Sequence, residues 1–375
     1  MSRRISMAAA ALVAVAVLAA PAASSSHHLQ VGIYDAAYVA ANPAKAFPLL
    51  HNLRVEVLRL NLDWSTVARK RPPNPTSPND PHYNWTVPDR LVRYAARYKI
   101  KVLFSIYGSP QWETGFSTPN HAPRRMPDLR AFALAAAKRY SGTFTPAGAA
   151  KALPAVRLWL AWNEPNNPVF LRPQWTRVGG GSWIAQSAKD YVAICTAVWT
   201  GVHASGLSGE KVACGATDPR GNNAPESGRP SVAPLTFLDA LKRFGLKHFD
   251  AYAHHPYYGG PRETPTTKPG RNAITLANIG VLIRELTRLY GPKHLWITEY
   301  GYQTNPPDRL YGVSWVKQAL YLKQAYAIAR RNPRIDMMLW FLVKDESRLG
   351  GWQSGFFTAA GKRKPAYAAF RSLPH

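Results

Sequence analysis

Hydrophobic and polar positions along the chain follow two alternating periods. Short runs rich in Val, Ile, Leu and aromatic residues, typical of buried strands, recur eight times, and amphipathic segments with helical spacing lie between them. The predicted strands cover residues 29–37, 55–62, 100–108, 156–162, 211–217, 248–255, 294–301 and 335–343. The predicted helices cover residues 87–98, 127–140 and 188–204, and further helical patterns begin at Pro234, Asn272, Ser314 and Lys364.

The alternation of strand and helix predicts a parallel sheet with right-handed crossovers. Eight such units suit a closed (β/α)8 barrel, the TIM-barrel fold, better than an open sheet. No shift in composition marks a second domain. We therefore expect residues 27–375 to form a single α/β domain.

The connections that follow the strands are long, whereas most connections from helix to strand are tight. In a barrel the long strand-to-helix loops form the face that carries the active site. These loops hold Trp112, Trp175, Trp183, Tyr257, Tyr258, Tyr302 and Trp352. Aromatic rings in a cleft can stack on the apolar face of a sugar. We therefore expect the set, in which we include Trp112, to contact substrate, although any single ring more often serves packing.

A glutamate follows or ends two of the predicted strands. Glu164 comes just after the fourth strand and Glu299 lies at the end of the seventh. Because the strand ends of one barrel converge on one pocket, the two carboxylates should face each other. Two carboxyl groups that flank a glycosidic bond can hydrolyse it. The alternative is a pair of structural carboxylates that cap helices or pair with basic side chains.

The sequences around these glutamates resemble the motifs of a known group of enzymes. WNEPN at 162–166 and TEYG at 298–301 are similar to the strand-four and strand-seven motifs of clan A glycoside hydrolases, particularly families 5 and 39. The resemblance implies a retaining mechanism in which Glu164 is the acid/base and Glu299 the nucleophile. It also implies a β-linked glycan as substrate, although members of the clan also cleave α-L-arabinofuranosides. The chemistry requires neither a metal nor an organic cofactor.

Arg59 and Asn163 are candidate supporting residues. In VEVLRLNL the leucines share one face of the strand, so Arg59 should point into the barrel on the other. The resemblance implies that Arg59 lies beside Glu299 and that Asn163 binds the sugar 2-hydroxyl. An arginine that bridges layers of the barrel and an asparagine that caps backbone groups are the alternatives.

Two histidines lie next to each other at the end of the sixth strand. His255 and Tyr257 share parity with small residues that suit a crowded barrel interior, whereas His254 should face the helices. The resemblance implies a His-x-Tyr motif at His255 and Tyr257, with the tyrosine hydroxyl bonded to the nucleophile.

The eighth strand contains Trp340. The resemblance implies that this tryptophan forms the floor of the pocket, with ordinary core packing as the alternative. Asp345 and Glu346 follow it as candidate substrate-binding residues.

The N-terminus has the pattern of an export signal. Two arginines precede an apolar run that ends in small residues, and we interpret residues 1–26 as a signal peptide with a short linker. An uncleaved membrane anchor is the alternative, and the general and twin-arginine export routes both remain open. The sequence thus predicts a secreted protein without a membrane span after removal of the signal.

Cysteine content and charge add little about the reaction itself. The chain has only two cysteines, Cys195 and Cys214, which could form one disulfide, but we favour two buried thiols. The net charge of +26 favours polyanions as partners. Since the basic residues form no compact block, we expect no specific nucleic acid, and the charge could simply give a solvated basic surface. The carbohydrate substrate implied by the resemblance could alternatively be an anionic glycan or the cell envelope. We expect a monomer.

Other classes of function fit less well. A non-catalytic glycan-binding barrel would keep the aromatic rings without needing both glutamates. A metal-dependent hydrolase would need a His-x-His or His-Glu-x-x-His motif, and a serine hydrolase would need Gly-x-Ser-x-Gly. The first predicted strand has no histidine, and neither His-Glu-x-x-His nor Gly-x-Ser-x-Gly occurs in the sequence. The glycan-binding barrel is therefore the main alternative to a glycoside hydrolase.

Overall fold

The computed structural model describes residues 28–374. The predicted export segment at residues 1–26 therefore lies outside the described residues. Within the described part of the chain, no helix has the length and the apolarity that crossing a membrane requires.

Eight parallel strands close into a barrel, as the sequence predicted. In chain order they are β1 (Gln30–Tyr34), β2 (Val57–Asp63), β3 (Lys101–Tyr107), β4 (Leu158–Ala161), β5 (Lys211–Thr217), β6 (Ala251–His254), β7 (His294–Tyr300) and β8 (Ile335–Phe341). Each strand pairs with its sequence neighbours, and β8 pairs with β1 to complete the ring. All lie inside their predicted ranges except β2, which continues one residue further, to Asp63.

The helices surround this barrel. They are α1 (Ala36–Ala41), α2 (Pro43–Asn52), α3 (Trp64–Val67), α4 (Thr86–Arg97), α5 (Gln111–Thr114), α6 (Met126–Arg139), α7 (Gln186–His203), α8 (Pro234–Arg243), α9 (Ile279–Tyr290), α10 (Trp315–Arg330) and α11 (Ala366–Arg371). A small hairpin, Thr176–Arg177 with Trp183–Ile184, lies in the loop after β4. The sequence patterns did not indicate this hairpin, since its strands have two residues each.

Two apolar layers hold the barrel together. Side chains that point inward form a small central core, which includes Leu103, Leu160, Trp296 and Leu339. Side chains of the opposite parity pack against the helices in a larger core. Beyond this central core, toward the carboxyl ends of the strands, the buried polar side chains of Arg59, Ser105 and Glu299 converge.

A disulfide joins the helical layer to the barrel. Cys195 on α7 and Cys214 on β5 are bonded, with their Cα atoms 6.0 Å apart. This corrects our expectation of two buried thiols. The reason is that α7 packs on the barrel so that the two Cα atoms fall within bridging distance, a relationship that a sequence separation of 19 residues does not reveal.

Candidate active site

The end of β4 presents Glu164 through an unusual backbone turn. Trp162 and Glu164 both have positive φ angles, 67° and 37°. Such angles are costly for residues with a side chain and tend to occur at functional sites. The turn is held by neighbouring strand ends, since the backbone N–H of Glu164 donates to the carbonyl of Ala216 at 2.9 Å. The strand has already ended at Ala161, and Pro165 follows the turn directly.

Glu299, at the end of β7, is held by two donors. Arg59 donates from Nη1 to Oε1 of Glu299 at 2.7 Å, and the hydroxyl of Tyr257 donates to Oε2 at 3.1 Å. The guanidinium is fully buried and Glu299 is nearly so. The guanidinium thus lies where it compensates the negative charge that a carboxylate nucleophile carries.

Arg59 also ties three other strand ends to this point. It donates to Oδ1 of Asn163 at 2.6 Å and to the hydroxyl of Ser105 at 3.2 Å. Its guanidinium lies over the ring of Tyr34, 4.2 Å from the centroid. The structure thus places Arg59 inside the barrel beside Glu299, and Asn163 between this arginine and the pocket.

The carboxyl groups of Glu164 and Glu299 lie close together. An oxygen of each and a ring nitrogen of His255 fall within 4.8 Å of one another. Carboxyl groups of retaining glycosidases lie about 5–5.5 Å apart and those of inverting ones about 6.5–9.5 Å. The separation therefore fits direct attack by one carboxylate and leaves little room for a water molecule between the two.

The same three groups have the composition of a metal site. However, Oε1 of Glu299 already accepts the hydrogen bond from Arg59 at 2.7 Å. A cation bound there would lie beside a fixed positive charge, which opposes its binding. The donor set thus suits acid–base chemistry better than metal coordination.

His255 lies beside both glutamates, and its Nδ1 is 3.7 Å from Oε1 of Glu299. Its Nδ1 lies 2.8 Å from Oε1 of Glu164, and its Nε2 lies 2.9 Å from the hydroxyl of Thr298. Burial lowers the pKa of His255 to about 3. The imidazole is therefore neutral near pH 7, and its contact with Glu164 is a hydrogen bond between a neutral ring and a carboxyl group.

The surroundings of Glu164 favour its protonated form. Burial is the main cause that raises its pKa well above the ordinary value, and the negative charge of Asp218 raises the pKa further. Asn167 links the two carboxyl groups, since its Nδ2 lies 3.4 Å from Oε2 of Glu164 and 2.9 Å from Oδ2 of Asp218. A carboxyl group that keeps its proton near neutral pH can act as a general acid.

A cavity of about 590 Å³ opens above the two glutamates. Its walls combine aromatic rings with polar groups from the strand ends and loops. The aromatic members are Tyr34, Phe170, Tyr257, Tyr258, Tyr311, Phe341 and Trp352. A pocket with apolar walls and a few placed polar groups has the chemistry that a sugar requires.

The structure places Trp340 away from this pocket. Its ring is fully buried in the layer between barrel and helices, and its indole N–H donates to the carbonyl of Ser354 at 2.9 Å. Phe341, the next residue, lines the pocket instead. Our expectation that Trp340 forms the floor of the pocket is therefore wrong. Every residue of β8 from Met337 to Phe341 is apolar, so no polar–apolar alternation marks the face that points inward.

Trp112 also lies elsewhere. It lines a separate cavity of about 410 Å³ together with Trp64, Tyr83 and Arg71. Its indole N–H donates to the carbonyl of Ala68, and Arg71 covers its ring at 4.9 Å. Since that ring face is occupied, our expectation that Trp112 contacts substrate in the main pocket is corrected to a packing role between loops.

Other residues that drew attention in the sequence have structural partners. His254 is fully buried and bonds to Thr217 and to the carbonyl of Ile274. Asp345 pairs with the buried ammonium of Lys364 at 2.7 Å. Glu346 accepts from the backbone N–H of Trp352 at 3.0 Å. None of the three lines the pocket above the glutamates.

Sequence reasoning missed Asn167 and Asp218. Both lie in strand-to-helix loops, where no periodicity indicates direction. Asn167 follows the WNEPN motif directly and Asp218 follows β5 directly. For Asp218 the signal was its position just after a barrel strand, and for Asn167 it was the position next to the WNEPN motif.

The closed barrel is similar to solved structures of glycoside hydrolases. A family 39 glycoside hydrolase from Bacteroides cellulosilyticus WH2 matches with a TM-score of 0.63 and 18% identity, over 92% of this chain and 63% of that one. A glucosidase from Croceicoccus marinus matches with a TM-score of 0.61 and 14% identity, over 92% and 66%. A fungal β-1,4-galactanase matches with a TM-score of 0.60 and 14% identity, over 92% and 99%. The chain shares their fold.

The likeness is one of fold and not of sequence. No protein-family model and no curated protein matches the chain. The chain also spans only about two thirds of the length of the first two of these structures, 63% and 66%. The reaction must therefore be argued from the residues of the pocket.

Proposed function

We propose that the protein is a secreted O-glycoside hydrolase that retains the configuration of the anomeric carbon. The close approach of Glu164 and Glu299, within 4.8 Å, carries this proposal. Their different surroundings support it. Glu299 is bonded to a buried arginine, whereas burial and Asp218 raise the pKa of Glu164.

In the first step Oε1 or Oε2 of Glu299 attacks the anomeric carbon while Glu164 transfers its proton to the departing glycosidic oxygen. A covalent glycosyl ester on Glu299 results. In the second step Glu164, now a carboxylate, removes a proton from water, and the water oxygen displaces Glu299 from the anomeric carbon. Tyr257 and Arg59 hold the nucleophile in place during both steps.

A trapping experiment tests the nucleophile. A 2-deoxy-2-fluoro glycoside with a dinitrophenolate leaving group should form a stable ester, and mass spectrometry of the digested protein should locate it on Glu299. Glu299→Gln should prevent labelling and abolish sugar release while the circular dichroism spectrum stays unchanged. A label on another residue would refute the mechanism. A protein that binds glycans without turnover would instead support the glycan-binding barrel.

The substrate proposed is a β-linked polysaccharide or oligosaccharide. A panel of defined β-glycans, α-L-arabinofuranosides and aryl glycosides, each assayed at low and high salt, identifies the sugar. If the substrate is anionic, salt should reduce turnover of the charged glycans and leave that of the neutral ones largely unchanged.

We also propose that the protein is exported and acts as a monomer. The expected N-terminal pattern lies in residues 1–26. N-terminal sequencing of protein recovered from the culture medium should begin close to residue 27. Light scattering after gel filtration should give the mass of one chain.

A further inference from the structure

A second cavity adjoins the candidate active site on the side of Glu164. It has a volume of about 550 Å³ and shares Asn167, Asp218, Arg220 and Arg229 with the wall of the main pocket. Its outer part is formed by loop residues 270–273, which include Arg271. A glycan chain bound at the two glutamates can therefore continue into this second cavity, which we call the groove.

Three arginines line the groove, and only one of them is in an ion pair with another described residue. Arg220 is paired with Glu263 at 3.2 Å. By contrast, Arg229 and Arg271 form no ion pair with any carboxylate among residues 28–374. The remaining acid of the groove, Asp218, accepts from Asn167 at 2.9 Å and from the backbone N–H of Arg220 at 2.8 Å. Arg229 and Arg271 thus line the groove outside any ion pair that the structure describes, and the charge of Arg229 also acts at longer range on Glu164 and Asp218.

Arg229 is placed by an ordered loop. Its carbonyl accepts from Nδ2 of Asn222 at 3.0 Å, and Oδ1 of the same asparagine accepts from the backbone N–H groups of Ala224 and Ser231. The guanidinium of Arg229 lies 3.5 Å from Oδ1 of Asn167, the residue that also contacts Glu164. Arg229 therefore stands at the junction of the two cavities.

The side of the site on which the groove lies determines what it would hold. Glu164 delivers its proton to the oxygen of the leaving group, so the leaving part of the substrate extends beyond Glu164, whereas Tyr257 and Trp352 lie on the side of Glu299. We propose that the groove binds a negatively charged substituent on the leaving-group part of the substrate. The assignment of this side rests on the proposed function.

An arginine matches such a group well. The planar guanidinium presents two parallel N–H donors to the oxygens of a carboxylate or a sulfate, and the bond is strengthened by charge. Uronic acids and sulfated sugars both supply this chemistry. The two arginines thus give a local reason for preferring acidic glycans, which the net charge of the whole chain does not.

Kinetics with matched leaving groups test the groove. Aryl glycosides of one sugar carry a para carboxymethyl, sulfomethyl or carbamoylmethyl group on the phenol, which changes the charge with little effect on leaving ability. The two anionic phenols should give a higher kcat/KM than the neutral amide by about fivefold or more. Preference for carboxylate over sulfonate would indicate uronic acids, and the reverse would indicate sulfated sugars.

Variants locate the effect. The double variant Arg229→Gln/Arg271→Gln should remove the preference for anionic phenols, while Arg284→Gln, an exposed arginine on α9, should retain it. Equal kcat/KM for charged and neutral phenols in the unmodified protein would overturn the proposal. So would an equal loss of preference in Arg284→Gln, because the effect would then come from overall charge.

A binding measurement separates this proposal from the proposed function. If no aryl glycoside is hydrolysed, calorimetry with Glu299→Gln can compare glucuronoxylan oligosaccharides with their carboxyl-reduced forms, and κ-carrageenan oligosaccharides with their desulfated forms. An acidic form should bind to Glu299→Gln at least about tenfold more tightly than its neutral form. This difference should disappear when Arg229→Gln and Arg271→Gln are added to Glu299→Gln, and it should persist when Arg284→Gln is added instead. That result would support the groove without catalysis. Equal or absent binding of acidic and neutral forms refutes it.

Discussion

The Nδ1 atom of His255 lies 2.8 Å from Oε1 of Glu164. On its other side, Nε2 lies 3.3 Å from Nη1 of Arg59, which can only donate a hydrogen bond. Nε2 is therefore the nitrogen of the neutral ring that accepts a hydrogen bond. Nδ1 carries the proton and donates a hydrogen bond to Oε1 of Glu164. It follows that the acidic proton of Glu164 resides on Oε2, the oxygen nearer Asn167.

This relationship predicts that His255 fixes the orientation of the carboxyl group of Glu164. His255→Phe should lower kcat/KM by about 10- to 100-fold, because Oε1 loses its donor and the carboxyl group can rotate. His255→Asn should lower kcat/KM by a smaller factor, since the side-chain amide of the asparagine can donate from the position of Nδ1. His254→Asn is the matched control and should change thermal stability without changing the pH profile. Unchanged turnover in His255→Phe would show that the ring has only a packing role.

Glu164→Gln should separate the two steps of the reaction. For substrates whose leaving group needs a proton, kcat/KM should fall by about 10²- to 10⁴-fold. A dinitrophenyl glycoside needs no proton for departure, so its first step should be much less impaired. Added azide should restore turnover and give a glycosyl azide of retained configuration. An azide product of inverted configuration would exclude double displacement.

Asp218→Asn should shift the alkaline limb of the pH profile. The negative charge of Asp218 raises the pKa of Glu164, second only to burial, so its removal lowers that pKa. The acid then loses its proton at lower pH, and the fall of kcat/KM on the alkaline side should move toward lower pH. Asp239→Asn, an exposed acid paired with Arg288, should leave the profile unchanged. A shift to higher pH would contradict the geometry.

The buried pair of Lys364 and Asp345 should be important for stability. The ammonium is fully buried and also bonds to Thr304 and to the carbonyl of Gln353. Lys364→Met leaves a carboxyl group buried without its cation and should lower the free energy of unfolding by about 3–5 kcal/mol in urea. Adding Asp345→Leu should restore part of the loss, and Lys362→Met at the surface should have little effect. A stable Lys364→Met variant would indicate that water reaches Asp345.

Removal of the disulfide should also destabilise the fold. The bond closes a segment of 19 residues, so Cys195→Ala/Cys214→Ala should lower the free energy of unfolding by about 3 kcal/mol through the larger freedom of the unfolded chain. Reductant should lower the free energy of unfolding of the unmodified protein by a similar amount and leave that of the double variant unchanged. Unfolded protein without reductant should react with no thiol reagent. Two titratable thiols would contradict the bond.

Much of the site followed from the order of the strands. Parity along β2 directed Arg59 inward because polar and apolar residues alternate there, and the positions of Glu164 and Glu299 at strand ends predicted that they meet. Along β8 the same reasoning could not choose between Trp340 and Phe341, since the strand is buried on both faces. Trp112 was misjudged for another reason, because a loop has no period that gives the direction of its side chains.

The local pattern of apolar and polar residues by itself determined the barrel, the number of its strands and the strand ends that carry carboxylates, because a strand of period two and a helix of period 3.6 each leave a direct mark on the sequence. Only the tertiary structure decided that Asp218 lies beside Glu164, that Cys195 reaches Cys214, that Lys364 neutralises Asp345 and that Arg229 opens onto a second groove. These relationships depend on the paths of loops and on the docking of helices against strands, which involve contacts between residues distant in sequence and leave no local period to read.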